Sequence, residues 1–184
     1  MKRVLDLSAG VMALFLAAPV IALCAALIKL GTPGPVFYAA ERVGRDERTF
    51  RQYKLRSMVV GADATGFRTD SVDPRITRIG RFLRRASLDE LPQLWNVVRG
   101  DMSLVGPRPA AVGQLADYTV EQRRIRASVR PGITGLAQVS GRSSLSLEQA
   151  VGHDLWYAEH ASVRTNLWIL ARTAGVVFGR RGTN

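Results

Sequence analysis

An uncharged apolar segment near the N-terminus constrains this chain most. Residues 7–28 include no charged side chain. As a helix, these 22 residues would be roughly 33 Å long, close to the thickness of the hydrocarbon core of a bilayer. The pattern therefore predicts a membrane-inserted helix at the start of the chain.

Three topologies compete for this segment. A secretory signal peptide has a similar basic start, here Lys2 and Arg3, but its apolar core is shorter and it would export the rest of the chain. A simple spanning helix is disfavoured by Pro19, which removes a backbone donor near the middle. A kinked spanning helix stays possible, because neighbouring groups can form hydrogen bonds with the carbonyl that is left without a partner. Because basic residues flank both ends, both ends are expected in the cytoplasm. We therefore predict a re-entrant helix over residues 1–30 with its break near Pro19.

The remaining residues, 31–184, are enough for one domain with its own core but not for two. The net charge is +11, carried almost entirely by arginine, which suits bidentate phosphate contacts but is also common in products of GC-rich genomes. Such a surface fits nucleic acid, an anionic membrane or an anionic substrate. Aromatic residues make up only 7%, and no nucleic-acid-binding signature is present, which disfavours nucleic acid. The single cysteine, Cys24, excludes a disulfide framework.

The hydropathy pattern of this domain predicts mostly helix with a small β part. Residues 36–58 read as two strands around a polar turn at 44–47, which indicates a hairpin. Helical spacing or composition predicts helices over residues 76–83, 87–98, 112–126, 145–157 and 166–178. The expected fold class is therefore α+β, a compact cytosolic domain with a small hairpin and interfacial amphipathic helices. The late aromatic residues fill either the core or a lipid interface: Trp156, Tyr157, Trp168 and Phe178.

Two adjacent acids, Asp89 and Glu90, follow Ser87 at the start of a predicted helix. The ordinary interpretation is structural, because acids stabilise the first turn and Ser87 with Glu90 fits a capping box. The five arginines upstream, however, bring like charges close together, which indicates that an anion binds near them. A carboxylate that holds a metal or attacks phosphorus, beside guanidinium groups that hold oxygens, is typical of chemistry on phosphates. The arginines are Arg75, Arg78, Arg81, Arg84 and Arg85.

Longer motifs carry a resemblance to a known family. They are Phe50-x-x-Tyr53-Lys54-x-Arg56-Ser57-Met58, Asp73-Pro74-Arg75, Ser87-Leu88-Asp89-Glu90-Leu91-Pro92-Gln93, Gly100-Asp101-Met102-Ser103, Val105-Gly106-Pro107-Arg108-Pro109 and Arg130-Pro131-Gly132-Ile133-Thr134-Gly135, followed by Gln138 and Gly141-Arg142. With these motifs the chain resembles the bacterial sugar transferases, the small monotopic phosphoglycosyl transferases that act on polyprenyl phosphate. The resemblance runs from about Arg3 to Gly182.

The resemblance implies one catalytic domain on a re-entrant helix at the cytoplasmic face of the bacterial inner membrane. It implies transfer of a sugar phosphate from a UDP-sugar to undecaprenyl phosphate with release of UMP, at the first membrane step of glycan assembly. In the family, the aspartate of the acid pair is the nucleophile and lies beside Mg²⁺. Carried over, Asp89 forms a covalent phosphosugar intermediate and binds the metal, and Glu90 assists the second half-reaction. Direct attack by the lipid phosphate, with Asp89 only a metal ligand, is the alternative.

By the same resemblance, Lys54, Arg84 and Arg108 bind phosphate and Arg142 lies near the nucleotide. Two positions depart from the family. Ala18 precedes Pro19 where serine is frequent, and Asn166 stands where an aspartate is usual. Expected partners are the UDP-sugar, the polyprenyl phosphate and membrane lipid but not nucleic acid, and a homodimer is left open. A membrane-tethered binder of nucleic acid or anionic lipid, without catalysis, is the alternative from another class.

Overall fold

The computed structural model describes residues 2–62, 73–141 and 144–178. Within these residues the helices are α1 (Lys2–Gly31), α2 (Arg78–Arg85), α3 (Gln93–Arg99), α4 (Val120–Ala127), α5 (Leu136–Ser140), α6 (Leu147–Glu159) and α7 (Val163–Phe178). The strands are β1 (Phe37–Val43), β2 (Thr49–Leu55), β3 (Ser103–Val105) and β4 (Gly132–Thr134). The predicted class, α+β and mostly helical, is confirmed.

Helix α1 is long and apolar enough to cross a bilayer, and few of its residues are buried. At its start, Arg3 donates hydrogen bonds of 2.6 and 2.8 Å to two carbonyl oxygens of α3. At its end, Arg56 donates hydrogen bonds of 2.6 and 2.8 Å to the two carbonyl oxygens that follow the helix. No residue from 11 to 23 is buried. Helix α1 is therefore anchored to the domain at both ends and exposed in the middle.

Pro19 lies inside α1 and does not end it, because the helix is continuous from Lys2 to Gly31. A proline in a helix removes one backbone hydrogen bond, which a helix of this length tolerates. The re-entrant course of α1 in a membrane stays a prediction.

Strands β1 and β2 form the predicted hairpin. They pair antiparallel, from Phe37 opposite Leu55 to Val43 opposite Thr49. The polar turn between them is a 3₁₀ turn over Arg45–Glu47. The prediction from alternating residues around a polar turn was therefore correct in both type and position.

The segment around the acid pair differs from the helix predicted over residues 87–98. Ser87 has a φ of 55° and makes no capping hydrogen bond, so the predicted capping box is wrong. Leu88–Glu90 form a 3₁₀ turn, and α3 begins only after Pro92. The physical reason is that Glu90 forms ion pairs with more distant residues and does not reach back to the backbone of Ser87.

The helix predicted over residues 112–126 is also interrupted. A 3₁₀ turn covers Val112–Asp117, and α4 starts after Thr119. The Thr119 hydroxyl accepts a hydrogen bond of 3.2 Å from the Gln122 backbone, and the Gln122 side chain accepts one of 2.9 Å from the Thr119 backbone. This capping box begins a new helix inside the predicted one.

The sequence predicted neither β3 nor β4. They pair in parallel, with Ser103 opposite Gly132 and Val105 opposite Thr134. A Cβ on Gly132 would lie 2.1 Å from the backbone nitrogen of Gly106, so only glycine permits this approach of the two backbones. Three-residue strands are too short for an alternating pattern, and sequence reasoning therefore missed them.

Two apolar clusters hold these elements together. One joins β3, α5, α6 and α7 and consists of Val105, Leu136, Val139, Tyr157 and Ile169. The other joins α1 to β2 and α2 and consists of Cys24, Ile28, Leu55 and Leu83. Tyr157 is 1% exposed and belongs to the core, whereas Trp156 and Trp168 are exposed. The Phe178 side chain lies outside the described part of the structure.

Candidate active site

Asp89 and Glu90 lie side by side in the 3₁₀ turn, among cationic side chains. Glu90 Oε1 accepts a hydrogen bond from Lys54 Nζ at 2.8 Å and another from Arg108 Nη2 at 3.2 Å. Arg84 lies close enough for its charge to act on Asp89. Two carboxylates therefore share the field of three cations contributed by three separate segments.

The charges of this cluster and the burial of each side chain give the two acids different pKa values. Burial favours the neutral form of Glu90, but the charges of Arg108 and Lys54 and their hydrogen bonds outweigh it and lower the pKa of Glu90 to about 2. Burial lowers the pKa of Lys54 and Glu90 opposes that shift, while the charge of Glu90 raises the pKa of Arg108. At neutral pH, Glu90 is therefore a carboxylate that holds two cations in place.

Asp89 has a different environment, although it is the next residue along the chain. It is 7% exposed, and burial raises the pKa of its carboxyl above the ordinary value while Lys54 and Arg84 act in the opposite direction. In the described ranges no donor makes a hydrogen bond to this carboxyl. Asp89 is therefore the acid left available for a ligand or a reacting atom.

Buried amide groups on β2 and α3 place Lys54 beside the acid pair. Gln52 Nε2 donates to Gln93 Oε1 at 3.1 Å. Asn96 accepts from the backbone N–H of Tyr53 at 3.0 Å and donates to a neighbouring carbonyl of β2 at 2.7 Å. These contacts fix β2 against α3. Since Gln52 and Lys54 are two residues apart on a strand, both face the same side.

Helix α2 brings Arg84 to the site. Thr77 caps this helix by accepting a hydrogen bond of 2.9 Å from the Gly80 backbone. A Cβ on Gly80 would lie 1.9 Å from the carbonyl oxygen of Ser57, so α2 packs directly on the backbone that follows β2. Arg84 Nε donates to Ser57 Oγ at 2.9 Å, and this contact helps to hold the guanidinium group.

The loop that carries Arg108 is held at its base by the carbonyl oxygen of Val105. This oxygen accepts hydrogen bonds from Lys2 Nζ at 3.0 Å, Ser103 Oγ at 2.9 Å and Tyr157 Oη at 2.8 Å. The Tyr157 hydroxyl also lies 2.7 Å from the amide oxygen of Asn166. Asn166, which departs from the family pattern, therefore belongs to this polar cluster below the loop.

The same loop is held at its far end by Arg126. Arg126 Nη2 donates to the carbonyl oxygen of Arg108 at 2.9 Å and forms an ion pair with Asp154 at 2.8 Å. Its guanidinium group also lies over the ring of Tyr118, 4.5 Å from the centroid. Sequence reasoning assigned no role to Arg126 or Asp154, because no local pattern links residues 28 positions apart.

The structure thus brings most of the predicted site residues together. Those that meet are Lys54, Arg84, Asp89, Glu90 and Arg108. Arg142 lies outside the described residues, and Pro19 lies in α1 away from this cluster.

The five arginines upstream of the acid pair do not act as one group. Arg84 faces the acids, and Arg75 forms an ion pair of 2.6 Å with Asp73. The others, Arg78, Arg81 and Arg85, are exposed on α2. Only one of the five therefore contributes to the cluster around the acid pair.

Comparisons with known proteins identify the family of the chain. The family model described as bacterial sugar transferase matches residues 1–180. The chain is 43% identical, over 99% of its length, to the UDP-galactose-lipid carrier transferase of Erwinia amylovora, and covers 41% of that protein. It is 40% identical, over 94% of its length, to the UDP-glucose:undecaprenyl-phosphate glucose-1-phosphate transferase of Escherichia coli, and covers 39% of it.

A shorter relative is matched along nearly its whole length. The chain is 40% identical, over 99% of its length, to the uncharacterized sugar transferase EpsL of Bacillus subtilis, and covers 89% of that protein. It thus spans about two fifths of the two longer relatives and almost all of the shorter one. The chain belongs to the bacterial sugar transferase family.

Proposed function

We propose that this protein transfers a sugar 1-phosphate from a UDP-sugar to undecaprenyl phosphate, giving undecaprenyl-diphosphate-sugar and UMP. The observation that carries the proposal is the unlike environment of two adjacent acids. Glu90 is held by Lys54 and Arg108, whereas Asp89 has no described donor and lies in the field of three cations. Such a field attracts a phosphoryl group and stabilises charge that develops on it. Relatives named for this transfer support the same reaction class.

The proposed chemistry has two displacement steps. First, an Asp89 oxygen attacks the β-phosphorus, the bond from that phosphorus to the bridging oxygen breaks, and UMP leaves with the bridging oxygen and the electron pair. Next, an oxygen of undecaprenyl phosphate attacks the phosphorus of the Asp89 adduct and the carboxylate leaves. Two steps let two awkward substrates bind in turn. Direct attack by the lipid phosphate is the competing route.

Arg84 and Arg108 are the proposed holders of the phosphoryl oxygens, because both charges act on Asp89. Glu90 was expected to help with a proton in the second step. Its pKa of about 2 makes it a weak base. We therefore propose that Glu90 acts by keeping Lys54 and Arg108 in place.

Mg²⁺ is proposed as the metal. In the described part of the chain, no group of three or more histidine, cysteine, aspartate or glutamate side chains lies together. Magnesium is often bound by one or two carboxylates together with substrate phosphates, so the available carboxylate of Asp89 fits it. When bound, the metal would neutralise charge on the diphosphate.

The proposed location is the cytoplasmic face of the bacterial inner membrane, with α1 re-entrant. Both ends of α1 contact the same domain, through Arg3 and Arg56, while its middle is exposed. Contact of both ends with one domain supports a course in which both ends lie on the same side of the bilayer. The basic residues near both ends favour the cytoplasmic side.

The test is a half-reaction in bilayer discs. The full chain is incubated with a panel of UDP-sugars and Mg²⁺ but no undecaprenyl phosphate. We expect stoichiometric UMP and a phosphosugar adduct on Asp89, detected by mass spectrometry, that added undecaprenyl phosphate discharges. Asp89→Asn should give neither product, whereas Asp117→Asn, at an exposed position, should behave like the wild type. Transfer without any adduct, and with UMP formed only in the presence of the lipid, would favour the direct route.

A further inference from the structure

Helix α2 has one face that the proposed reaction leaves unused. Gly80 and Leu83 are buried on its inner side, and Arg84 reaches Ser57 near the acid pair. On the outer side lie four exposed residues, which we call the basic face of α2: Arg78, Arg81, Phe82 and Arg85. At 100° per residue, these four fall within roughly 100° of the helix circumference.

Among the described residues, no counter-charge faces the three cations of the basic face. Across the described ranges, Arg78, Arg81 and Arg85 form no ion pair and no side-chain hydrogen bond. Phe82, which lies between them, is 58% exposed. Like charges so close together repel each other, and an exposed phenyl ring in water costs free energy. Both costs fall if an anionic surface with an apolar interior covers the face.

The position of this face indicates which surface that is. Helix α2 packs against the last turns of α1, where a Cβ on Gly31 would lie 2.4 Å from Ile79 Cδ1, and Cys24 and Ile28 share a cluster with Leu83. In α1, Leu30 is 85% exposed. The basic face is therefore on the element that packs at the exit of the apolar helix.

We propose that the basic face of α2 docks on the anionic lipid headgroups of the bilayer that α1 enters. The guanidinium groups would pair with headgroup phosphates, and Phe82 would insert between headgroups, where aromatic rings are favourable. This inference rests on the proposed membrane seating of α1, but not on the covalent chemistry at Asp89. It explains why only one arginine of α2 contributes to the acid-pair cluster.

The experiment compares two bilayers. The full chain is placed in discs of phosphatidylcholine alone or of phosphatidylcholine with phosphatidylglycerol, and backbone hydrogen exchange of α1 and α2 is followed by mass spectrometry. We expect exchange in α2 to slow by about threefold or more in the anionic discs, and high salt to remove the effect. Arginine-selective labelling should likewise fall at positions 78, 81 and 85 but not at Arg48 and Arg51, which are exposed on the hairpin.

Two charge-matched variants make the test specific. R78Q/R81Q/R85Q should lose the dependence on anionic lipid, since glutamine keeps a similar helix propensity without the charge. R48Q/R51Q/R124Q, with three substitutions at exposed positions elsewhere, should keep it. Equal α2 exchange in both bilayers, with α1 still protected, would overturn the docking proposal alone, and so would equal loss in both variants. Unprotected α1 would overturn the membrane seating and the docking with it.

Discussion

Lys54 Nζ lies 2.8 Å from Glu90 Oε1, and Arg108 donates to the same oxygen. Both cations therefore donate hydrogen bonds to Glu90, and they act on Asp89 only through their charge. The two acids are neighbours in the chain. Glu90 is held as a carboxylate, whereas no side chain or backbone group in the described residues donates a hydrogen bond to Asp89. This difference supports separate roles for the two acids in the proposed reaction.

Glu90→Gln should lower the free energy of unfolding by about 1–3 kcal/mol at neutral pH, because the partly buried Lys54 and the more exposed Arg108 lose their shared counter-charge. The pKa of Glu90 in the folded protein, about 2, lies below the ordinary value of 4.5. Its stabilisation is therefore present above pH 4.5 and lost as the pH falls towards 2. Denaturant unfolding in detergent at about pH 6 and about pH 3 should show the difference from wild type shrinking. A constant difference would contradict the ion-pair explanation.

Arg84→Gln should move the acid limb of the pH–rate profile to higher pH. In the proposed reaction the attacking group is the Asp89 carboxylate, so activity should fall as Asp89 becomes protonated. Burial already raises the pKa of Asp89, and the charge of Arg84 opposes that rise. Without Arg84 the pKa rises further. Initial rates of UMP release across pH measure the shift, and Arg48→Gln, on the exposed hairpin, is the charge-matched control. If the acid limb does not move, the charge of Arg84 does not affect the pKa of Asp89.

Arg126→Met should destabilise the protein by about 2–4 kcal/mol, because Asp154 loses its partner while buried. The variant should also raise KM for the UDP-sugar, since Arg126 holds the carbonyl of Arg108. Arg124→Met, on the exposed side of the same helix, should change stability by no more than about 0.5 kcal/mol. Thermal unfolding and steady-state kinetics check both parts. A normal KM in a destabilised Arg126→Met variant would limit Arg126 to a structural role.

Gly80→Ala should disrupt the packing of α2, since the added Cβ would lie 1.9 Å from the carbonyl oxygen of Ser57. We expect a loss of at least about 3 kcal/mol, together with reduced activity through displaced Arg84. Gly152→Ala is the matched control, because a Cβ there meets nothing within 4 Å and the residue lies inside α6. That substitution should stabilise the protein by about 0.5–1 kcal/mol. Similar melting temperatures for both variants would contradict the close contact of α2 with Ser57.

The sequence by itself predicted the features that depend on near neighbours. The apolar run predicted α1, and alternation around a polar turn predicted the hairpin of β1 and β2. In α6, Ser146 and Gln149 form a capping box, which is a signal of the same local kind. These signals can be read directly because capping, turn formation and helical or strand periodicity act over a few residues. The acid pair and the family motifs were equally visible.

Tertiary structure decided which charges meet. Glu90 could have capped its own helix, but Lys54 and Arg108, 36 and 18 positions away, hold it instead. Of five neighbouring arginines, packing turns Arg84 towards the acids and leaves three outside. The Arg126–Asp154 pair and the parallel strands β3 and β4 likewise join distant segments. Local preferences differ by about 1 kcal/mol or less, so buried charges and close backbone packing, which involve larger energies, select the partners only once the chain has folded.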